Sequence, residues 1–344
     1  MSRITDVLAD AREQRMFSAA AFSTGDASGA ADRGLLGTLA WDGAEVDDGS
    51  RWDLASVTKP IVGLAIMSLV ESGHLTLDDT IADHLPDYAE TDKAALTVRA
   101  LLSHTSGLPG QVPLYRTATT RAAMLAAIRE LPLAPVGSEV VYSSQGFILL
   151  GLIAESASGL TLEALLRERV LRPTGMDSTG FGLPEPLYPL AVATELDPWR
   201  GRLVQGEVHD ENAVVLGEPA AHAGLFSTLT DLEALGQALV AEARAILSPA
   251  GYRAMIRPHT DHLLLRRSLA WQGTDAVGSP AGDLAGPNSY GHTGFTGTSL
   301  WIDPDAGRYA VLLTNRVHPS RDGTGFARLR RRVHNLAFAR TPVE

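Results

Sequence analysis

The chain has 344 residues, 45% of them hydrophobic and 20% charged, which is enough to bury a substantial core and unlike any collagenous, coiled-coil or disordered composition. A formal net charge of −11 argues against a nucleic-acid footprint, which needs a clustered positive surface. The absence of cysteine excludes disulfides, thiolate catalysis and Cys-ligated metals.

Residues 1–13 read as an amphipathic, acid-containing helix without the apolar stretch of a secretory signal. No apolar run approaches the ~20 residues that span a bilayer, so no membrane insertion and a cytoplasmic location are expected. Residues 17–23 and 37–41 read as two short strands separated by a Gly/Ala/Asp-rich turn. The stretch 51–60 then runs into a nearly all-apolar helix closed by Gly73. Pro60 is tolerable only in a first turn, so that helix begins near residues 55–57 and Ser56 stands at its N-terminus, where free N–H groups favour developing negative charge. Helical patterns follow at 96–103, 119–131, 144–156 and 161–170, and strand-like runs return near 299–303 and 309–315. In the last helix Phe326, Leu329, Val333 and Leu336 recur at helical spacing, and Arg328, Arg330, Arg331 and Arg332 read as its solvated face. Strands at both ends with helices between imply one α/β (α+β) catalytic domain over 1–344. Its α/β lobe is expected from about 1–65 and 226–344, with an all-α lobe inserted at about 66–225.

Ser56 and Lys59 stand at i and i+3, on one face of a helix turn. A serine hydroxyl is a poor nucleophile until a neighbouring base takes its proton. Lys59 and Lys93 are the only lysines, every other basic residue being Arg. Arg stays protonated, whereas a desolvated Lys can release its proton, so a lysine kept at position 59 points to proton transfer. Tyr142 and Ser144 lie at a strand-to-helix junction where both can face a cleft. In the stretch 290–303, His292, Thr293 and Gly294 enter a strand whose edge N–H groups can bind a carbonyl.

Taken together, Ser56-Val-Thr-Lys59, Tyr142-Ser-Ser144 and His292-Thr-Gly294 come in the order and rough spacing of the serine β-lactamase and penicillin-binding-protein superfamily. The chain resembles its class C-like branch, which includes esterases, amidases and D-amino-acid peptidases. Surrounding stretches match as well: Leu101-Leu-Ser-His-Thr-Ser-Gly-Leu-Pro109, Thr174-Gly-Met-Asp-Ser-Thr179, Gly224-Leu-Phe-Ser-Thr-Leu-Thr-Asp231 and Leu313-Thr-Asn-Arg316. The resemblance implies a β-lactamase/transpeptidase-like fold, an antiparallel sheet flanked by helices, and a serine hydrolase that needs no cofactor. Ser56 would attack the carbonyl of a small ester, amide or peptide. Lys59 and Tyr142 would share the proton transfers, Tyr142 as a phenolate favoured by the cations Lys59 and His292. The backbone N–H groups of Ser56 and Phe295 would form the oxyanion hole. The second motif usually ends in Asn and the third begins with Lys in β-lactamases. Ser144 and His292 stand there instead, which points away from efficient β-lactam turnover.

His209, Asp210 and His222 offer the atom types of a zinc site, but their spacing matches no standard motif. A loop bordering the active site, with His209 or Asp210 touching substrate, or plain structural hydrogen bonding, is expected instead. An acyltransferase would use the same acyl-enzyme with another acceptor. A non-catalytic binding domain on this fold would show damage to the Ser/Lys/Tyr set, and that set is intact.

Overall fold

The structure is a computed structural model and describes residues 2–217 and 219–339. A six-stranded, wholly antiparallel sheet runs in the order Gly29–Gly37, Ala19–Asp26, Arg308–Thr314, Ser299–Asp303, Tyr290–Thr293, Gln272–Gly273. The two ends of the chain therefore meet in the middle of one sheet, with Ala20 opposite Thr314 and Gly25 opposite Tyr309. Side chains alternate across it with period two. Ala20, Phe22, Trp301, Ala310 and Leu312 face the terminal helices Arg3–Glu13 and Phe326–Phe338. Ala19, Ala21, Leu300, Ile302, Val311 and Leu313 face the opposite layer, which includes the helices Thr58–Glu71 and Leu229–Val240.

Two expectations need correction. The strand expected at 37–41 is Gly29–Gly37, and the supposed long turn is a tight hairpin closed where the Asp26 carboxylate accepts from Ser28 N–H at 2.8 Å. Its Gly, Ala and Asp residues lack the β-branched signature because this is an edge strand, mostly half-buried or exposed. The inserted segment is rich in helices, among them Val98–Leu102, Arg121–Glu130, Ser144–Ser158 and Leu162–Leu166. Each is capped by a Ser or Thr hydroxyl (Thr97, Thr120, Ser143, Thr161) at its first N–H groups. It is not purely helical, however. Gly180–Phe181 joins Leu225–Ser227 and Trp52–Asp53 in a small sheet, and Leu196–Asp197 pairs with Arg202–Leu203. Strands of two residues are too short to leave a periodic trace in the sequence.

The small sheet positions the site, because Leu54 N–H bonds Leu225 O at 2.9 Å and Leu225 N–H bonds the Thr58 hydroxyl at 3.2 Å. The residues on either side of Ser56 are thus tied to the strand that follows His222 and Ala223. Among the described residues no single helix is long and apolar enough to cross a membrane.

Candidate active site

Ser56 lies in a single 3-10 turn, Ala55–Val57, at the mouth of the buried helix Thr58–Glu71. Ala55 holds φ +47°, a left-handed conformation that an alanine keeps only where its surroundings over-determine it. Those surroundings are specific. The buried Asp53 carboxylate accepts from Ala55 N–H and from His209 N–H, both at 2.7 Å. The Thr296 and Thr298 hydroxyls donate to the Asp53 and Leu54 carbonyls at 2.8 and 2.9 Å. The serine turn is therefore clamped to the loop that follows His292 and Thr293. Gly294 allows that approach, since a Cβ there would stand 2.5 Å from the Leu54 carbonyl oxygen.

Lys59 is fully buried; its Nζ donates to Ser56 Oγ at 3.1 Å and to the His222 carbonyl at 2.8 Å. Burial pulls its pKa down to about 7, against the Asp210 charge, which raises it. Tyr142 lies with its ring centre 4.8 Å from Lys59 Nζ, between the rings of His104 and His292 at 4.7 and 5.8 Å. His104 brackets it along the chain, its carbonyl accepting from Val141 N–H at 2.9 Å and its Nδ1 from Ser143 N–H at 3.1 Å. The Tyr142 hydroxyl is buried without a well-formed hydrogen bond among the described residues. Burial raises its pKa, and the nearby Ser56 hydroxyl offsets this only in part. The phenolate expected from neighbouring cations is thus not favoured. His292 is no cation either: burial, then the Lys59 charge, push it down to about 3, and its Nδ1 pairs with the Thr293 carbonyl at 2.9 Å. Of the two candidate bases, Lys59 is the one suited to take a proton near neutral pH.

Ser56, Gln111 and Phe295 border two cavities at once. The first, about 500 Å³, is also lined by Tyr142, His292, Thr293, Gly294 and the arginines 267, 316 and 330, and by no Asp or Glu among the described residues. The second, about 260 Å³, holds Ser144, Tyr115, Asn212, His209, Asp210 and Glu211. Tyr142, Ser144, His292, Thr293, Gly294, Phe295, His209 and Asp210 thus line cavities that Ser56 also borders, and Lys59 meets Ser56 directly. The Phe295 N–H donates to no other group among the described residues. Its carbonyl accepts from Arg316 Nε at 2.7 Å, and its ring stacks on His209 with centres 5.7 Å apart.

His209, Asp210 and His222 do not converge on a common point. His209 Nε2 pairs with Glu195 at 2.9 Å, whereas His222 Nε2 pairs with Asp210 at 3.0 Å. Burial would raise the Glu195 carboxyl, but hydrogen bonds from His209 and Arg321 hold it at about 2.

The arginines of the first cavity escaped the sequence reading. Arg330, placed on a solvated face, turns inward and donates to the Gly294 carbonyl at 3.3 Å. The signal was present, because Arg330 lies four residues from Phe326 and three from Val333, on the same buried stripe. Arg316 ends the stretch Leu313-Thr-Asn-Arg316, but nothing local marks Arg267.

A family model described as Beta-lactamase matches residues 4–335. The chain belongs to the β-lactamase family. It is 32% identical over 311 residues to a "Putative D-alanyl-D-alanine carboxypeptidase" of Escherichia coli K12, covering 78% of this chain and 70% of the relative. A protein of the same description from Salmonella agona is 30% identical over 310 residues, covering 78% and 69%. Among solved structures, "EstCE1, a hydrolase with promiscuous acyltransferase activity" shares the fold at TM-score 0.80 and 21% identity, covering 98% of each chain. A penicillin-binding protein homologue from Caulobacter crescentus does so at TM-score 0.76 and 21% identity, covering 97% and 96%. As a β-lactamase-family protein this chain is a serine hydrolase, of a class that acts on ester or amide bonds through an acyl-enzyme.

Proposed function

We propose that Ser56 is the nucleophile, Lys59 its base and Tyr142 a neutral phenol that relays the proton to the leaving group. The substrate we propose is a peptide-like amide or ester whose leaving-group side ends in a free carboxylate. The observation that carries this is the first cavity: Arg267, Arg316, Arg330 and Thr293 line it together with Ser56, and among the described residues no acidic side chain does. Arg stays charged even when buried, and its planar fork matches a carboxylate. Desolvation lowers Arg330 to about 9, still protonated at neutral pH. His292 leaves the positive charge that recognises a carboxylate to these arginines. The names of the curated relatives suggest a terminus of the D-alanyl-D-alanine type.

In the proposed cycle the uncharged Lys59 amine takes the Ser56 proton as Oγ attacks the carbonyl, and the Ser56 and Phe295 N–H groups stabilise the oxyanion. The proton passes through Tyr142 to the departing group, and water then releases the acyl chain. Ser144 lacks the amide that would hold a β-lactam side chain, so nitrocefin should turn over far more slowly than a matched ester.

The test compares a D-alanyl-D-alanine-terminated peptide with its C-terminal amide. A charge-assisted hydrogen bond contributes about 1.5–3 kcal/mol, so the free acid should be favoured roughly 10–100-fold in kcat/KM. Arg267→Gln should raise KM for the acid and leave the amide unchanged. Equal rates for acid and amide would remove the carboxylate from the proposal, and full activity in Ser56→Ala would remove the nucleophile.

A further inference from the structure

The second hydrogen bond of Lys59 goes to the His222 carbonyl, at 2.8 Å. The His222 ring is wholly buried and its Nε2 lies 3.0 Å from Asp210 Oδ1. A carboxylate can only accept, so Nε2 is the donor in this contact. Nδ1 is buried and has no partner among the described residues, which leaves Asp210 as the one polar group orienting this ring. Asp210 is itself fixed, as the N-cap of the helix Glu211–Leu216, with Oδ1 accepting from Ala213 N–H at 2.9 Å. Its carboxylate, 29% exposed, borders the second cavity together with Ser56.

We propose that Asp210 is a positioning residue for the Lys59 amine: through the His222 ring it holds the carbonyl that grips Nζ. This rests on the reading of Lys59 as the base. The other groups facing Lys59 cannot substitute. Ser56 and Tyr142 are uncharged, and His104 and His292 are held neutral by burial. Phe147 presents a ring centre 5.8 Å away. Arg267 acts on Tyr142 and on both histidines with the opposite sign of charge. Among the described residues Asp210 is the carboxylate whose charge reaches Nζ. A fully desolvated amine with no counter-charge would be a weak base, reluctant to hold the Ser56 proton. The carboxylate keeps both forms populated near neutral pH, where a group that must take and return a proton works best.

Asp210→Asn isolates the charge. Asn caps a helix as well as Asp does and presents the same carbonyl oxygen to His222 Nε2. We expect the wild-type kcat/KM profile to rise through an acid limb near pH 7. In Asp210→Asn that limb should move to lower pH by roughly one unit, the low end of what one nearby opposite charge does to a buried group. Asp210→Glu, which keeps the charge, should leave the limb in place. Asp210→Ser, also a good cap, is read in the same way should the Asn variant not fold. A limb in Asp210→Asn that superimposes on wild type, with a change in thermal midpoint alone, would reduce Asp210 to a helix cap. If Lys59→Met keeps wild-type turnover, the base itself is misassigned; if Lys59 is required and the limb does not move, only the Asp210 proposal falls.

Discussion

Lys59 shows how one side chain couples activity to stability. Its folded pKa of about 7 lies below the ~10.4 of a lysine in an unfolded chain. Between those values the unfolded state binds the extra proton, so this residue makes the protein more stable as pH rises from about 7 to 10 and contributes its full cost below 7. A methionine of similar shape does not titrate. Lys59→Met should therefore gain on wild type as the pH falls from 10 to 7, with the gap constant below that, read as the difference between urea midpoints at each pH. Parallel midpoints across that range would mean the Lys59 amine is not desolvated as its burial implies. At this scale the sequence was informative where chemistry is rare. One of only two lysines, with a Ser three residues before it, stood out, whereas Asp53 and Glu195 are common residue types paired with His209 and Arg321, far away in the chain.

At the scale of elements, the site is a junction of four short pieces: the 3-10 turn Ala55–Val57, the strand Tyr290–Thr293 with its loop, the segment entering Leu225–Ser227, and the entry to the helix Ser144–Ser158. The loop is held to the turn by the Thr296 and Thr298 hydroxyls across a gap that only glycine fits. Gly294→Ala would place its Cβ against the Leu54 carbonyl and pry Phe295 N–H away from Ser56. We expect a loss of roughly 10²–10³ in kcat, the cost of one oxyanion donor, with circular dichroism unchanged. Unchanged kcat would mean that Phe295 is not such a donor. Helices were the most legible elements, because Thr97, Thr120, Ser143 and Thr161 mark their starts and Gly159 ends one with φ +69°. The edge strand Gly29–Gly37 and the two-residue strands were not, since backbone pairing holds them and side-chain pattern does not.

Across the whole molecule, the sheet joins residues near 20 to residues near 310, so the Ser56 turn and the His292 strand are brought together by pairing over almost the full chain. Strands at both ends of the chain pointed to that closure, and the three motifs together pointed to the meeting of Ser56 with His292, because no single stretch carries its partner's position. The charge distribution across Ser56 was not legible at all. Arg267, Arg316 and Arg330 gather on one side, and Asp210 and Glu211 border the other together with Arg116 and Arg321. A covalent acyl group on Ser56 is what mass spectrometry of the protein, quenched in acid during turnover of p-nitrophenyl butyrate, would detect. We expect one added butyryl group, located by digestion to the peptide containing Ser56 and absent from Ser56→Ala. A butyryl group on another residue, or its persistence in Ser56→Ala, would contradict that expectation.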